Sequence, residues 1–131
     1  MRVARSEQVE QQPVQMAGSE GCSVRWLVGR EHGAPNFAMR EFEVAPGGFT
    51  PRHEHPYEHE VYVLSGEGQV FSGDQPHPIR SGDVILVQPD ETHQFRNTGS
   101  VPLRFLCLIP NSGDMRSECS VVAGSAGAKR N

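Results

Sequence analysis

Three of the chain's six histidines, His53, His55 and His59, fall within seven residues. They lie in the stretch Gly47-Gly-Phe-Thr-Pro-Arg-His-Glu-His-Pro-Tyr-Glu-His-Glu-Val-Tyr-Val-Leu-Ser-Gly66. In an extended chain, residues two apart point to the same side, so His53 and His55 present two imidazoles together. The Pro56-Tyr57-Glu58 turn then brings His59 back at the start of the next strand. A fourth histidine, His93, follows a second Gly…Pro turn in Gly82-Asp-Val-Ile-Leu-Val-Gln-Pro-Asp-Glu-Thr-His93. The pattern demands a fold that folds two distant strands onto one centre, and it reads as a metal site.

At 131 residues the chain is expected to form a single domain with a real core. Net charge is −4 with both signs interspersed, so neither nucleic acid nor an anionic membrane surface is an expected partner. No apolar run approaches the roughly 18 residues of a membrane span, and no secretory h-region opens the sequence. The three cysteines, Cys22, Cys107 and Cys119, are scattered without a CxxC, which fits a reducing cytoplasm rather than a disulfide framework.

Fourteen glycines and ten prolines, spread through the chain, favour short strands joined by turns. Residues 1–20 are polar and read as a flexible arm able to order against a partner subunit, and 113–131 as a flexible tail, leaving a domain over 21–112. Strands are expected at 23–28 and 37–44, then through the histidines after an Ala45–Gly48 turn, and at 60–64. A tight hairpin at Ser65–Gly68 leads to 69–71, followed by a loop over 72–78 and a short strand ending at Arg80. Further strands are expected at 84–87, 93–96 and 102–109. Nine or ten such strands imply an all-β sandwich or barrel.

The two histidine segments resemble the paired motifs of the cupins, small jelly-roll barrels that hold a metal inside. Gly47, His53, His55 and Gly66 fit the first motif, and Gly82, His93 and Asn97 the second. Counting back from Gly66 places His59 where the family usually has glutamate, while Glu60 fits only a longer spacer. Pro89 is displaced by one, and Asp90 stands at a usual glycine, a substitution that a left-handed turn tolerates. The stretches Ala34-Pro-Asn-Phe37, His59–Leu64 and Phe105–Pro110 look like the small bacterial and archaeal manganese cupins with four histidine ligands. The resemblance, over roughly residues 37–110, implies an all-β double-stranded β-helix, a jelly-roll cupin barrel. It implies His53, His55, His59 and His93 as ligands, Mn(II) first as the ion, then Fe(II), with Cu, Ni or Zn further options.

Four neutral imidazoles leave the full charge of a divalent ion uncompensated and make it more Lewis-acidic than a site with glutamate. Four ligands around an octahedral ion leave positions for water, O2, peroxide or a bidentate substrate. The leading expectation is therefore a dioxygenase-type, metal-dependent oxidoreductase acting on a small organic molecule. Two alternatives stand beside it: a Lewis-acid isomerase or decarboxylase, which needs a base that only Glu60 or a distant carboxylate offers, and a binding module without turnover. Strand alternation lets only one of His59 and Glu60 face inward, and the glycine count favours His59. No catalytic side chain is assigned, but Phe105 and Cys107 share a strand face that would line the pocket, with core packing as the plainer role. His32 and His77 read as exposed loop residues, Arg40 and Arg52 as surface charges able to steer a carboxylate, and Tyr57 and Tyr62 as packing residues. Open β edges and the N-terminal arm point to a homodimer.

Overall fold

The computed structural model describes residues 1–111, so Cys119 and the expected tail lie outside the described residues. Strands occupy Gln12–Pro13 (β1), Glu20–Val28 (β2), Phe37–Phe49 (β3), His59–Ser65 (β4), Glu67–Ser72 (β5), Gln75–Arg80 (β6), Val84–Val87 (β7), His93–Asn97 (β8) and Leu103–Pro110 (β9). Short 3-10 turns at Ser6–Gln8 and Arg30–His32 are the helical elements among the described residues. All pairings given below are antiparallel, as expected where chain reversals are short.

The strands follow the order β6-β5-β8-β3-β9-β4-β7, with β2 also paired to β3 and β1 to β2. The long β3 is the hinge of this arrangement. Residues 37–44 pair with β9, while Phe49 pairs with Arg96 of β8. The sheet therefore curls about the bend at Pro46-Gly47-Gly48, giving the all-β jelly-roll expected. Inward positions alternate cleanly along β9, where Leu103, Phe105, Cys107 and Ile109 are buried and Arg104, Leu106 and Leu108 are not. Cross-strand register stacks them into rows with Val44, Phe42, Arg40 and Ala38 of β3. Phe105 stacks on Phe42 and Phe95 at ring-centroid distances of 5.5 and 4.6 Å, making an aromatic middle to the core.

Several sequence expectations need correction. The histidine segment is not a regular strand: among the described residues its one bridge joins His53 to His93. Pro51 and Pro56 flank it and lack the N–H that a ladder requires. Ala45–Gly48 is not a break before it but part of β3, which runs on to Phe49. Ser65–Gly68 is not a hairpin either, because β4 pairs with β7 and β9 while β5 pairs with β6 and β8. Gly66 is instead the corner between the two halves of the barrel. Its φ is 88°, and a Cβ there would collide with the Pro102 carbonyl, so both conformation and space require glycine. The expected loop 72–78 is a turn at Gly73-Asp74 followed by β6, an edge strand that tolerates Pro76 and Pro78.

The N-terminal residues also carry structure. Gln12 and Pro13 pair with Val24 and Ser23, Val14 N–H donates to the Cys22 carbonyl at 3.0 Å, and Val14 packs on the core.

Candidate metal site

His53, His55 and His93 converge so that one possible ligand nitrogen from each lies within 4.8 Å of the others. Different devices bring them there. His93 opens β8 and exchanges backbone hydrogen bonds with His53, at 3.0 and 3.2 Å. His55 is held from outside the barrel, where its carbonyl accepts from Asp90 N–H at 2.7 Å. Asp90 has φ 65°, the left-handed turn that its position beside Pro89 calls for.

His59 is not one of that trio, yet its ring belongs to the same cluster. It lies 4.2 Å from the His55 ring, nearly parallel to it, and 5.2 Å from His93. Alternation along β4 turns His59 inward, 4% exposed, and leaves Glu60 in solvent. Tyr57 packs against both rings, its centroid 4.1 Å from that of His55 and 5.6 Å from that of His59.

The electrostatics keep these rings neutral. Burial, then the neighbouring His93, His55 and Arg40, lowers His53 from its ordinary 6.5 to about 4. Burial, then His93, lowers His55 to about 4 as well. Burial lowers His93, partly opposed by the Glu91 carbonyl, and burial followed by the Arg40 charge pushes His59 furthest down. A neutral imidazole is the form that binds a metal.

The Nδ1 atoms of His55 and His93 lie 3.1 and 2.8 Å from the carbonyls of Tyr57 and Glu91. Those oxygens can only accept, so each Nδ1 carries the proton and each Nε2 offers a lone pair. The Nε2 atoms of His55 and His59 are buried with no hydrogen-bond partner among the described residues. Buried polar atoms are rarely left so, and a divalent ion coordinated by them would satisfy both. The donor set fits such an ion, and softness alone does not choose among the first-row metals.

Around the histidines, Val14, Phe42, Thr50, Pro51, Phe95, Phe105 and Cys107 close an inner cavity of about 30 Å³. A wider cleft of about 660 Å³ runs along β5, β6 and β7 and also reaches His93. Among the described residues, no aspartate or glutamate lines the inner cavity. Phe105 and Cys107 do line it, as the strand pattern indicated.

Other expected roles change. Arg40 is not a surface charge but wholly buried, its guanidinium 4.9 Å from the Phe42 ring centroid and 5.4 Å from that of Trp26. It shares inward parity with Ala38, Phe42 and Val44, a signal its charge obscured. Tyr57 packs on the site itself, whereas Tyr62 is exposed rather than packed. Arg52 pairs at the surface with Asp74 at 2.9 Å. His32 accepts from Gly29 N–H at 3.0 Å at its 3-10 turn, and His77 is exposed on β6 rather than in a loop. Val14, a cavity wall, carried no local sequence signal.

Comparison with known proteins agrees with this architecture. The chain is 32% identical to the polyketide cyclase RemF from Streptomyces resistomycificus, whose structure superposes with a TM-score of 0.81 over 86% of this chain and 80% of that one. It is 43% identical to Protein SchB of Streptomyces halstedii over 75 residues, which are 56% of this chain and 54% of SchB. The chain thus spans about half of SchB's length. It is 31% identical to the oxalate-binding protein of Thermotoga maritima, over 82% of this chain and 92% of that protein. A cupin domain model matches residues 40–109, the stretch that contains all four clustered histidines. With its barrel, its histidine cluster and these relatives in agreement, the chain belongs to the cupin family.

Proposed function

We propose that this cupin is a metal-dependent enzyme in which His53, His55, His59 and His93 together hold one divalent ion, Mn(II) first and Fe(II) next. Its substrate would be a flat, oxygen-bearing molecule of the polyketide class, and its reaction a ring closure. The observation that carries the reading is a pair of buried Nε2 atoms, one on His55 within the ligand trio and one on His59 beside it, that have no hydrogen-bond partner among the described residues. A bound ion would supply Lewis acidity to chelating substrate oxygens and, if it is redox-active, electrons for O2 chemistry.

The chain's own residues supply the rest. Phe42, Phe95 and Phe105 offer ring faces against which a planar substrate stacks, and they exclude water around the reacting carbons. No side-chain carboxylate among the described residues lines the inner cavity, so a substrate whose C–H is acidic enough to give its proton to water suits the site. A β-diketone methylene suits that condition, since the two carbonyls that flank it already make it acidic. Similarity to a polyketide cyclase supports the same substrate class. An inner cavity of about 30 Å³ has room for little more than water, so such a substrate needs the Val14 segment to move or approaches through the wider cleft.

The absence of a side-chain base equally favours the oxidative, dioxygenase-type reaction as a second reading. Incubating the Mn- and Fe-loaded protein with a linear poly-β-ketone thioester, with and without O2, separates the two. Loss of water without O2 uptake supports ring closure, and O2-dependent product supports oxidation. No product with any ion, despite tight binding of the thioester, would contradict both and leave a binding module.

A homodimer and a cytoplasmic location belong to the same proposal. Tyr62, Val84 and Leu86 are 47%, 73% and 53% exposed on one face of β4 and β7, an apolar stripe that a second copy would cover. Sedimentation of the wild type beside Leu86→Lys tests the pairing. Cys22 and Cys107 are both buried, and the three cysteines of the sequence form no CxxC, in keeping with a reducing compartment. No helix among the described residues is long and apolar enough to cross a membrane.

A further inference from the structure

The inner cavity and the wider cleft reach the histidines unequally. His53, His59 and His93 all line the inner cavity, whereas of the four clustered rings the cleft touches His93. The rings of Phe42, Phe95 and Phe105 face the inner cavity as well. A substrate that meets both the histidines and the phenylalanines must therefore occupy the inner cavity, where about 30 Å³ holds little more than water. Part of the wall has to give way.

The wall is not uniformly built. Phe42, His59, His93, Phe95, Phe105 and Cys107 sit on β3, β4, β8 and β9, and Thr50, Pro51 and His53 follow directly on β3. Residues 37–44 of β3 pair with β9 without a break. Thr50 N–H donates to the Phe95 carbonyl at 2.9 Å, and its hydroxyl accepts from Phe95 N–H at 2.8 Å. Among the described lining residues, Val14 alone comes from the N-terminal part of the chain. It follows β1, a strand of two residues, one of which is Pro13 and donates nothing to a ladder. Val14 N–H donates to the Cys22 carbonyl at 3.0 Å, and the chain then turns back to β2 through Gly18, φ 85°. On either side the ties are side-chain contacts, Gln11 Nε2 to Ser23 Oγ at 2.6 Å and Ser19 Oγ to the Val14 carbonyl at 3.4 Å. A segment held in this way opens locally while the barrel stays folded. Its apolar anchor is the Val14 side chain, half-buried against the core.

The geometry points to residues 12–19 as a door on the inner cavity, with Val14 as the latch that limits what reaches the histidines. The inference rests on the substrate reading proposed above and deepens it by supplying the route. The molecule enters where Val14 swings out, not along β6 and β7, and comes to rest between the phenylalanine rings and the histidine cluster.

Carbethoxylation of the histidines by diethyl pyrocarbonate in metal-free, full-length protein tests this, with each site read by peptide mass spectrometry. The reagent attacks neutral imidazole, the form that burial favours in the cluster. His59 is the reporter, because it is 4% exposed and lines the inner cavity but not the cleft, and exposed His77 is the internal standard. Val14→Ala should raise the His59 rate relative to His77 by about 3–15-fold, the opening expected when two carbons lose contact with the core. In Pro13→Cys/Ser23→Cys the new cysteines replace direct cross-strand partners of β1 and β2, so the oxidised protein is locked shut. Its His59 should react more slowly than in wild type, and reduction should restore the rate. An unchanged His59 rate in folded Val14→Ala, or in the locked protein, would overturn the door and send the substrate through the cleft. Hydrogen exchange tests the same point in wild type, where the Val14 amide should exchange faster than the β9 amides that pair with β3. Equal protection of the two would overturn the door even if neither variant folds. Since the protein is metal-free throughout, a negative result leaves the four-histidine reading standing, and protein that takes up no metal leaves the door standing.

Discussion

At one end of the barrel interior Val44, Val63 and Leu103 are wholly buried, and the polar residue among them is fully answered. Asn97 donates from Nδ2 to the carbonyls of Val44 and Val101, both at 2.8 Å, and its Oδ1 accepts from Gly99 N–H at 2.8 Å. At the other end His55 and His59 are buried almost as deeply, yet each keeps an Nε2 that nothing among the described residues satisfies. Leaving a buried polar atom unmade costs about 1–3 kcal/mol. One end is therefore complete in itself, and the other is complete only with a ligand. The first holds the barrel together, and the second is where its chemistry resides.

The largest expected effect separates the ends by stability. Leu103→Ala should cost about 2–5 kcal/mol in denaturant unfolding, through lost burial and the cavity left behind. Its metal content per folded molecule should stay at the wild-type level, and loss of the ion would show that the two ends are not independent.

Next comes a contrast between polar residues. Asn97→Ala should destabilise by about 1–3 kcal/mol, because two carbonyls and one N–H lose their partner. In metal-free protein His59→Leu should cost less than about 1 kcal/mol, or stabilise, since it removes an unsatisfied atom at similar volume. The same variant should lose metal affinity. A large destabilisation of the metal-free His59→Leu protein would mean that the ring is structural, and the contrast would fail.

Acidity gives a third, smaller test. His53 and His55 fall to about 4 in the folded protein from the ordinary 6.5, burial being the first cause. Between those values the unfolded chain binds more protons than the folded one, so stability rises with pH there. Melting temperatures of the metal-free protein should be flat above about pH 6.5 and fall as the pH drops toward 4. Replacing both His53 and His55 by glutamine should flatten that fall, and an unchanged slope would assign it to other groups.

The contrast also explains how much could be read in the sequence. Strand parity let only one of His59 and Glu60 face inward, the glycine count favoured His59, and parity put Phe105 and Cys107 on one shared face, because alternation is a local property of the chain. Asp90 kept its turn because left-handed geometry is a single-residue preference. The role of Gly66 was less legible, since whether a Gly turn closes a hairpin or turns a barrel corner depends on strands far away in sequence. Arg40 obeyed the parity rule, but its charge argued for the surface; the Trp26 and Phe42 rings and the Cys107 sulfur that receive its guanidinium come from distant parts of the chain. Val14 reaches the cavity through pairing of β1 with β2, which no periodicity in the polar N-terminal residues announces.

The most direct test of the account is elemental analysis of protein purified without added metal, with His59→Ala and Glu60→Ala beside the wild type. Glu60 is exposed, so its loss should change stability by no more than about 0.5 kcal/mol and leave the metal in place. The account predicts near-stoichiometric Mn or Fe in wild type and Glu60→Ala, and a marked loss in His59→Ala. Metal lost in Glu60→Ala and kept in His59→Ala would contradict it, as would wild-type protein that takes up no ion even on soaking.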